Sequence, residues 1–240
     1  MAAITTVQTA ERQVEQKFIF PLLQKGMILD WLEHVGVPNS DYSYGPVSSI
    51  YYDTPGLELY GEKRNGDYLK RKVRLRWYAD LQAVDSYSDV QCFWEIKQKL
   101  GARRHKQRSA LCIKAHRLTQ DPFSDELISG LPASFGDSGF RFPQGIFPAL
   151  MIRFDRLRFV DPRSGARLAV DTNISCQMVN THFFAGLVPV DLGMGVLELK
   201  AQTLDIPESL EMIGGWLTRT SFSKYAQCVE RVMQPIGRRI

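Results

Sequence analysis

KVRLRWY, residues 72–78, decides the fold. Successive side chains of a β-strand point to opposite faces. Read as a strand, this stretch puts Lys70, Lys72, Arg74 and Arg76 on one face and Val73, Leu75 and Trp77 on the other. An ordinary antiparallel sheet has one apolar, packed face and one polar, solvated face. Here the polar face is a row of like charges, and like charges in a row repel. Something must lie opposite them.

The same pattern recurs along the chain. Charged residues two apart occur at Glu15/Lys17, Glu95/Lys97, Lys106/Arg108, Arg156/Arg158 and Glu198/Lys200, with Arg167 and Asp171 separated by Ala169. The opposite faces are apolar: Trp94/Ile96, Leu168/Val170 and Leu197/Leu199. Two architectures accommodate this. In the first, which the pattern alone favours, the apolar faces make the core and the charges face water. In the second, the charged faces line a tunnel and helices cover the apolar outside. An unpaired charge in a confined site is costly, so the second needs a polyanion inside. Arginine forks and lysine point charges both suit phosphate oxygens.

The rest of the sequence sets the frame. The 240 residues carry 30 Lys+Arg against 26 Asp+Glu, a net charge of only +4. The distribution is uneven: residues 97–117 hold eight Lys/Arg and no Asp/Glu, which points to an anionic partner. The four cysteines and four histidines are scattered, with no CxxC pair. Neither a zinc site nor a disulfide framework is expected, and the thiols fit a cytoplasmic compartment. The most apolar long stretch, 183–199, is interrupted by Pro189, Asp191 and three glycines, so it is not a clean membrane span.

Strands are expected near 13–20, 47–53, 68–78, 91–99, 104–113, 150–160, 166–174 and 194–201. Helices are expected at 24–36, stopping at Gly36 as a C′ residue, from Asp205 with Glu208 at capping-box spacing, and at 221–234. Asn65-Gly66 reads as a hairpin turn, residues 162–165 (PRSG) as another, and 114–150 as short helices and loops. The fold class is α+β, mainly antiparallel β, closed or nearly closed into a barrel. Residues 1–11 read as a loose leader and 12–240 as one domain. Trp31, Trp77 and Trp94 fall on apolar faces and read as core.

VEQKF (14–18), VRLRWY (73–78), EIKQK (95–99), KQR (106–108), RFDR (153–156), ARLAVDT (166–172), LELK (197–200) and FSKY (222–225) follow one another in an order that resembles the VTC domain. That is the polyphosphate-polymerase domain of the vacuolar transporter chaperone complex, within the triphosphate tunnel superfamily. The resemblance runs from about residue 12 to residue 231. It implies a tunnel of about eight antiparallel strands with a C-terminal plug helix. The implied reaction extends inorganic polyphosphate from the γ-phosphate of ATP with a divalent metal, Mn²⁺ or Mg²⁺.

By motif, Lys17, Arg74, Arg76, Lys97, Lys106, Arg108, Arg156, Arg167, Lys200 and Lys224 resemble phosphate-binding residues. Arg74, Arg76, Lys97 and Lys200 among them stand closest to the chemistry. Glu198 resembles the metal-binding glutamate. Glu15 and Glu95 are either further metal ligands or partners that orient neighbouring lysines.

Two departures stand out. Phe154 replaces the tyrosine of the family's YxR strand, and Gln13 stands where related hydrolases open with a glutamate, which favours a polymerase over a hydrolase. A metal-dependent triphosphatase and a polyphosphate-binding sensor remain the alternatives. ATP and inorganic polyphosphate or triphosphate are the expected partners, nucleic acid is not, and any membrane coupling would come from a separate protein. Oligomeric state is open.

Overall fold

The computed structural model describes residues 14–40, 43–101, 103–135, 143, 145–185 and 188–234. The expected leader and Gln13 lie outside the described residues. Eight strands of eight or more residues carry the fold: β1 (Val14–Pro21), β3 (Tyr44–Asp53), β4 (Leu69–Trp77), β5 (Asp89–Leu100), β6 (Arg103–Lys114), β7 (Phe147–Val160), β8 (Arg167–Val179) and β10 (Met194–Ala201). Three two-residue strands complete the sheet: β2 (Val37–Pro38), β9 (Val190–Asp191) and β11 (Thr218–Arg219). The main path runs β11-β1-β10-β8-β7-β3-β4-β5-β6, and every pair along it is antiparallel.

The charged faces turn inward. Arg74 is 8% exposed, Arg76 5%, Glu95 3% and Glu198 8%. The architecture that pattern alone favoured, with charge facing water, is therefore excluded. The other face of the same strands is apolar and covered from outside. Val73, Leu75, Trp94 and Ile96 pack beneath Leu118 of α3 (Ala115–Thr119) and Ile128 and Leu131 of α4 (Glu126–Ser134). Phe18, Leu168, Leu197 and Leu199 pack beneath Ile28 and Leu32 of α1 (Lys25–Val35) and Leu210 and Ile213 of a 3-10 helix (Glu208–Trp216). Trp77 and Trp94 are buried. Trp31 is partly buried, and its Nε1 donates to the Ser209 carbonyl at 2.7 Å.

The expected closure is corrected. Among the described residues β6 pairs only with β5, and no hydrogen bonds join it to β1. The reason is local. β11 takes the free edge of β1, pairing Phe18 with Arg219 and Ile19 with Thr218, and the Thr220 amide adds a bond to the Lys17 carbonyl at 2.9 Å. The chain leading to the last helix thus occupies the edge that β6 would need. The sheet still curls, because side chains of β1 and β6 line one cavity.

That last helix, α5 (Lys224–Met233), is capped by the Ser223 hydroxyl, which accepts from the Ala226 amide. Its Tyr225, Val229 and Val232 pack with Tyr51, Phe154, Ile174 and Val196, on the inner side of the sheet. Asp53, fully buried, accepts from the Leu59 and Tyr60 amides of α2 (Glu58–Arg64) and from the Tyr225 hydroxyl, tying α2 and α5 to the end of β3.

Three local expectations differ from the structure. Asn65-Gly66 closes α2 rather than a hairpin, with Gly66 at φ 77°. The segment after Pro207 is a 3-10 helix with no side-chain cap, consistent with the poor α-propensity of Gly214-Gly215. Gly36 ends α1 in extended backbone. Its missing side chain is used for close approach instead, since a Cβ there would sit 3.2 Å from the Phe159 Cβ. The PRSG turn joins β7 to β8 as expected, with Gly165 at φ 67°. Among the described residues no helix is long and apolar enough to cross a membrane.

Candidate active site

The curled sheet encloses a cavity of about 680 Å³, lined by twelve lysine and arginine side chains and three carboxylates among the described residues. All thirteen residues singled out from the sequence line it. Strand register explains the grouping. Across β4, β5 and β6, Lys72 faces Lys97, which faces Lys106, and two residues on, Arg74 faces Glu95, which faces Arg108. Each row takes one residue from each of three consecutive strands.

Glu95 organises the second row. Its Oε2 accepts from Arg74 Nε at 2.7 Å and Nη2 at 2.5 Å, while its Oε1 lies 3.6 Å from both Lys106 Nζ and Arg108 Nε. Burial alone would raise its pKa, but the Arg74, Arg76 and Lys106 charges hold it well below the usual carboxylate range. Arg74 also donates to the Tyr51 hydroxyl at 3.2 Å, and Arg76 Nε donates to Ser49 Oγ at 2.9 Å. These contacts fix two guanidinium groups before any ligand arrives.

The first row has no carboxylate. Burial, with the Lys17 and Arg74 charges nearby, pushes the Lys72 ammonium well below its ordinary pKa. Burial and Arg74 do the same to Lys97. Lys72 donates to Ser223 Oγ at 3.3 Å, which brings the start of α5 against this row.

On the facing wall the acids are paired. Glu198 accepts from Arg156 Nη2 at 2.9 Å and lies 3.5 Å from the Lys17 and Lys224 ammonium groups. Burial raises its pKa, but Arg156, Lys224 and Lys17 together hold it well below the usual range. Asp171, fully buried, takes Arg156 in a two-point contact at 2.5 and 2.6 Å and also pairs with Lys224. Glu15 lies 3.2 Å from Lys17. Lys224, near the start of α5, therefore reaches Asp171 and Glu198 together.

The three candidate metal ligands separate. Glu15 and Glu198 sit on neighbouring strands, where Lys17 faces Glu198 and Glu15 faces Lys200. Glu95 sits across the cavity on β5, with both oxygens directed at Arg74, Lys106 and Arg108. Its geometry is that of a positioning residue. Among the described residues no three His, Cys, Asp or Glu side chains form a metal-binding group. Glu15 and Glu198, diagonal across β1 and β10 and both within reach of Lys17 at 3.2 and 3.5 Å, are the oxygen donors that would hold a hard cation of the Mg²⁺ or Mn²⁺ kind, which leaves much of its shell to water and substrate phosphates.

Several cavity residues were not assigned from the sequence. Lys72 shares the face of Arg74 and Arg76, and that alternation was the available signal. Arg158 was legible as the neighbour of Arg156. Tyr78 and the buried Asp171 lie inside the quoted VRLRWY and ARLAVDT motifs but were given no role, and Tyr51 and Phe93 carry no local motif. Phe154, where the family has tyrosine, works through its ring: Lys224 Nζ lies 4.6 Å from the centroid, and the Arg156 and Arg76 guanidinium carbons lie at 5.3 and 5.6 Å.

The sequence profile of the VTC domain matches residues 7–233. A search of curated proteins found no match. A solved structure from Bacillus halodurans, a proposed adenylate cyclase, superposes with TM-score 0.52 at 11% identity, over 92% of this chain and 97% of its own. Another proposed adenylate cyclase, from Vibrio parahaemolyticus, gives TM-score 0.46 at 14% identity, over 91% and 97%. The first of these likenesses is one of fold. Taken with a profile that spans nearly the whole sequence, it means that this chain belongs to the VTC domain family and carries the triphosphate-tunnel fold.

Proposed function

We propose that the protein is a metal-dependent polyphosphate polymerase that uses ATP as phosphoryl donor. The observation that carries this reading is the uncompensated charge of the cavity. Twelve cations face three carboxylates, with buried Asp171 behind Arg156 and Lys224 as a fourth, and Lys72, Lys97, Lys200 and Arg76 all have pKa values lowered by burial and by neighbouring cations. A chain of phosphates relieves that repulsion, and a neutral ligand does not.

Phosphoryl transfer is mostly positioning and charge neutralisation. In this reading Lys17, Lys106, Arg108, Arg156, Arg167 and Lys224 hold the phosphates in line. Arg74, Arg76, Lys97 and Lys200 contact the transferred group. A terminal oxygen of the growing chain attacks the γ-phosphorus, a new P–O bond forms, and the bond to the β–γ bridging oxygen breaks with its electron pair leaving on ADP. The acceptor is already ionised, so no strong general base is needed. A Mg²⁺ or Mn²⁺ ion held by Glu198 with Glu15 would act as a Lewis acid on phosphate oxygens. The four free cysteines support a reducing, cytoplasm-like compartment.

The test is a product profile. The protein is incubated with ATP and Mn²⁺ beside the E198Q and R74A/R76A variants, and phosphates are resolved by chain length. Long chains made by the unmutated protein, and lost in both variants, support the proposal. ADP and orthophosphate without long chains would make it a hydrolase, and absence of turnover would leave a binding role.

A further inference from the structure

The β4–β5–β6 wall is graded along its length. Its rows run Lys70–Lys99–Arg104, then Lys72–Lys97–Lys106, then Arg74–Glu95–Arg108, then Arg76–Phe93–Ala110. Three cations give way to one. Beyond them Gln91 faces Cys112, and Tyr78 follows directly after β4. The cationic end lies against the start of α5, where Lys72 meets Ser223. Toward the other end of the same cavity this wall keeps one cation per row, Arg76, and turns aromatic.

Phe93 is out of place there as a core residue. It is only partly buried and joins none of the three apolar clusters among the described residues. It lines the cavity beside Tyr78, their ring centroids 5.8 Å apart at 60°. The Arg108 guanidinium carbon lies 3.7 Å from the Phe93 centroid, and Arg158 lies 5.8 Å from that of Tyr78. Arg108 Nε is buried without a hydrogen-bond partner. Aromatic rings and guanidinium planes are the surfaces on which nucleobases stack.

We propose that Phe93 and Tyr78, with the guanidinium planes of Arg108 and Arg158, form the seat for the nucleobase of a nucleoside triphosphate. The donor then lies with its base at the aromatic end and its phosphates running toward the cationic rows. This rests on the polymerase reading for the identity of the donor, and it adds the donor's direction and the residues that distinguish a nucleotide from a bare phosphate chain.

The test separates stacking from phosphate binding. Calorimetry with Mg²⁺ compares the β,γ-imido analogue of ATP with inorganic tripolyphosphate on the full chain, its F93L variant and its F93W variant. F93L is expected to weaken the nucleotide analogue about ten-fold, leave tripolyphosphate within about two-fold, and be rescued by F93W. Retained tripolyphosphate binding also certifies that F93L is folded. Equal losses for both ligands would mean that Phe93 only props Arg108, and unchanged nucleotide binding would mean that no base sits there. Either result overturns the proposal. A protein that makes no polyphosphate yet shows the nucleotide-selective loss would refute the polymerase reading and leave this one standing.

Discussion

Replacing Glu95 by glutamine should make the protein less stable and its grip on polyphosphate tighter. Glu95 is 3% exposed and is the carboxylate that binds Arg74, with Lys106 and Arg108 at 3.6 Å. Breaking a buried pair by removing one partner costs about 3–5 kcal/mol, because the remaining charge loses its compensation. Glutamine keeps one acceptor oxygen for Arg74, so the lower end applies, about 3 kcal/mol. For a chain of this size each kcal/mol moves the melting temperature by about 2–4 °C, giving a fall of roughly 6–12 °C. The same substitution removes a negative charge from the wall that a phosphate chain must pass. Added tripolyphosphate should therefore raise the melting temperature of E95Q by more than that of the unmutated protein. Differential scanning fluorimetry with and without tripolyphosphate reads both effects. A variant that melts with the unmutated protein, or that melts early but gains no extra stabilisation from the anion, refutes the electrostatic account of this wall.

E198Q should lose Mn²⁺-dependent turnover while E95Q keeps it, because Glu198 is the carboxylate that shares its wall with Glu15; a metal titration of activity makes the comparison. Glu95 and Glu198 both have folded pKa values held below the ordinary carboxyl value of about 4.3. Their stabilisation is complete above that value and is lost as pH falls below it toward the folded values, so acid unfolding of E95Q should show a shallower pH dependence there. Lys72 and Lys97, whose ammonium forms are disfavoured in the free protein, should take up protons when tripolyphosphate binds. Calorimetry across a pH series below the ordinary lysine value of about 10.4, in buffers of different ionisation enthalpy, measures this, and zero net uptake throughout would contradict the crowding of that row. Arg103 and Arg104 are exposed at the β5–β6 turn, so R103A/R104A should weaken tripolyphosphate binding at low salt and lose its effect as the Debye length shortens below about 10 Å. A loss that persists in high salt would place these arginines in direct contact instead.

What the sequence determined by itself was the strand content and the composition of the faces. Alternation in VRLRWY, EIKQK and LELK separates charge from apolar surface because a strand has a period of two, and no tertiary context can undo that. Which face turns inward was not in the alternation. Arg74 on a solvated surface and Arg74 in a tunnel have the same neighbours in sequence, and only the resemblance to a known family pointed to the second. The same limit applies to the acids. Glu15, Glu95 and Glu198 look alike in their strands, yet register sets Glu15 and Glu198 diagonally on the paired strands β1 and β10 and places Glu95 opposite Arg74. Asp171 stood in the ARLAVDT motif without an assigned role, and it became the partner of Arg156 and Lys224 because β8 lies beside β7 and α5 comes back across both. Closure was equally a matter of tertiary structure: among the described residues the edge of β1 is paired by β11 and not by β6. A strand's own residues set which side chains share a face. Which strands become neighbours, and so which charges meet, depends on contacts between residues tens to hundreds of positions apart.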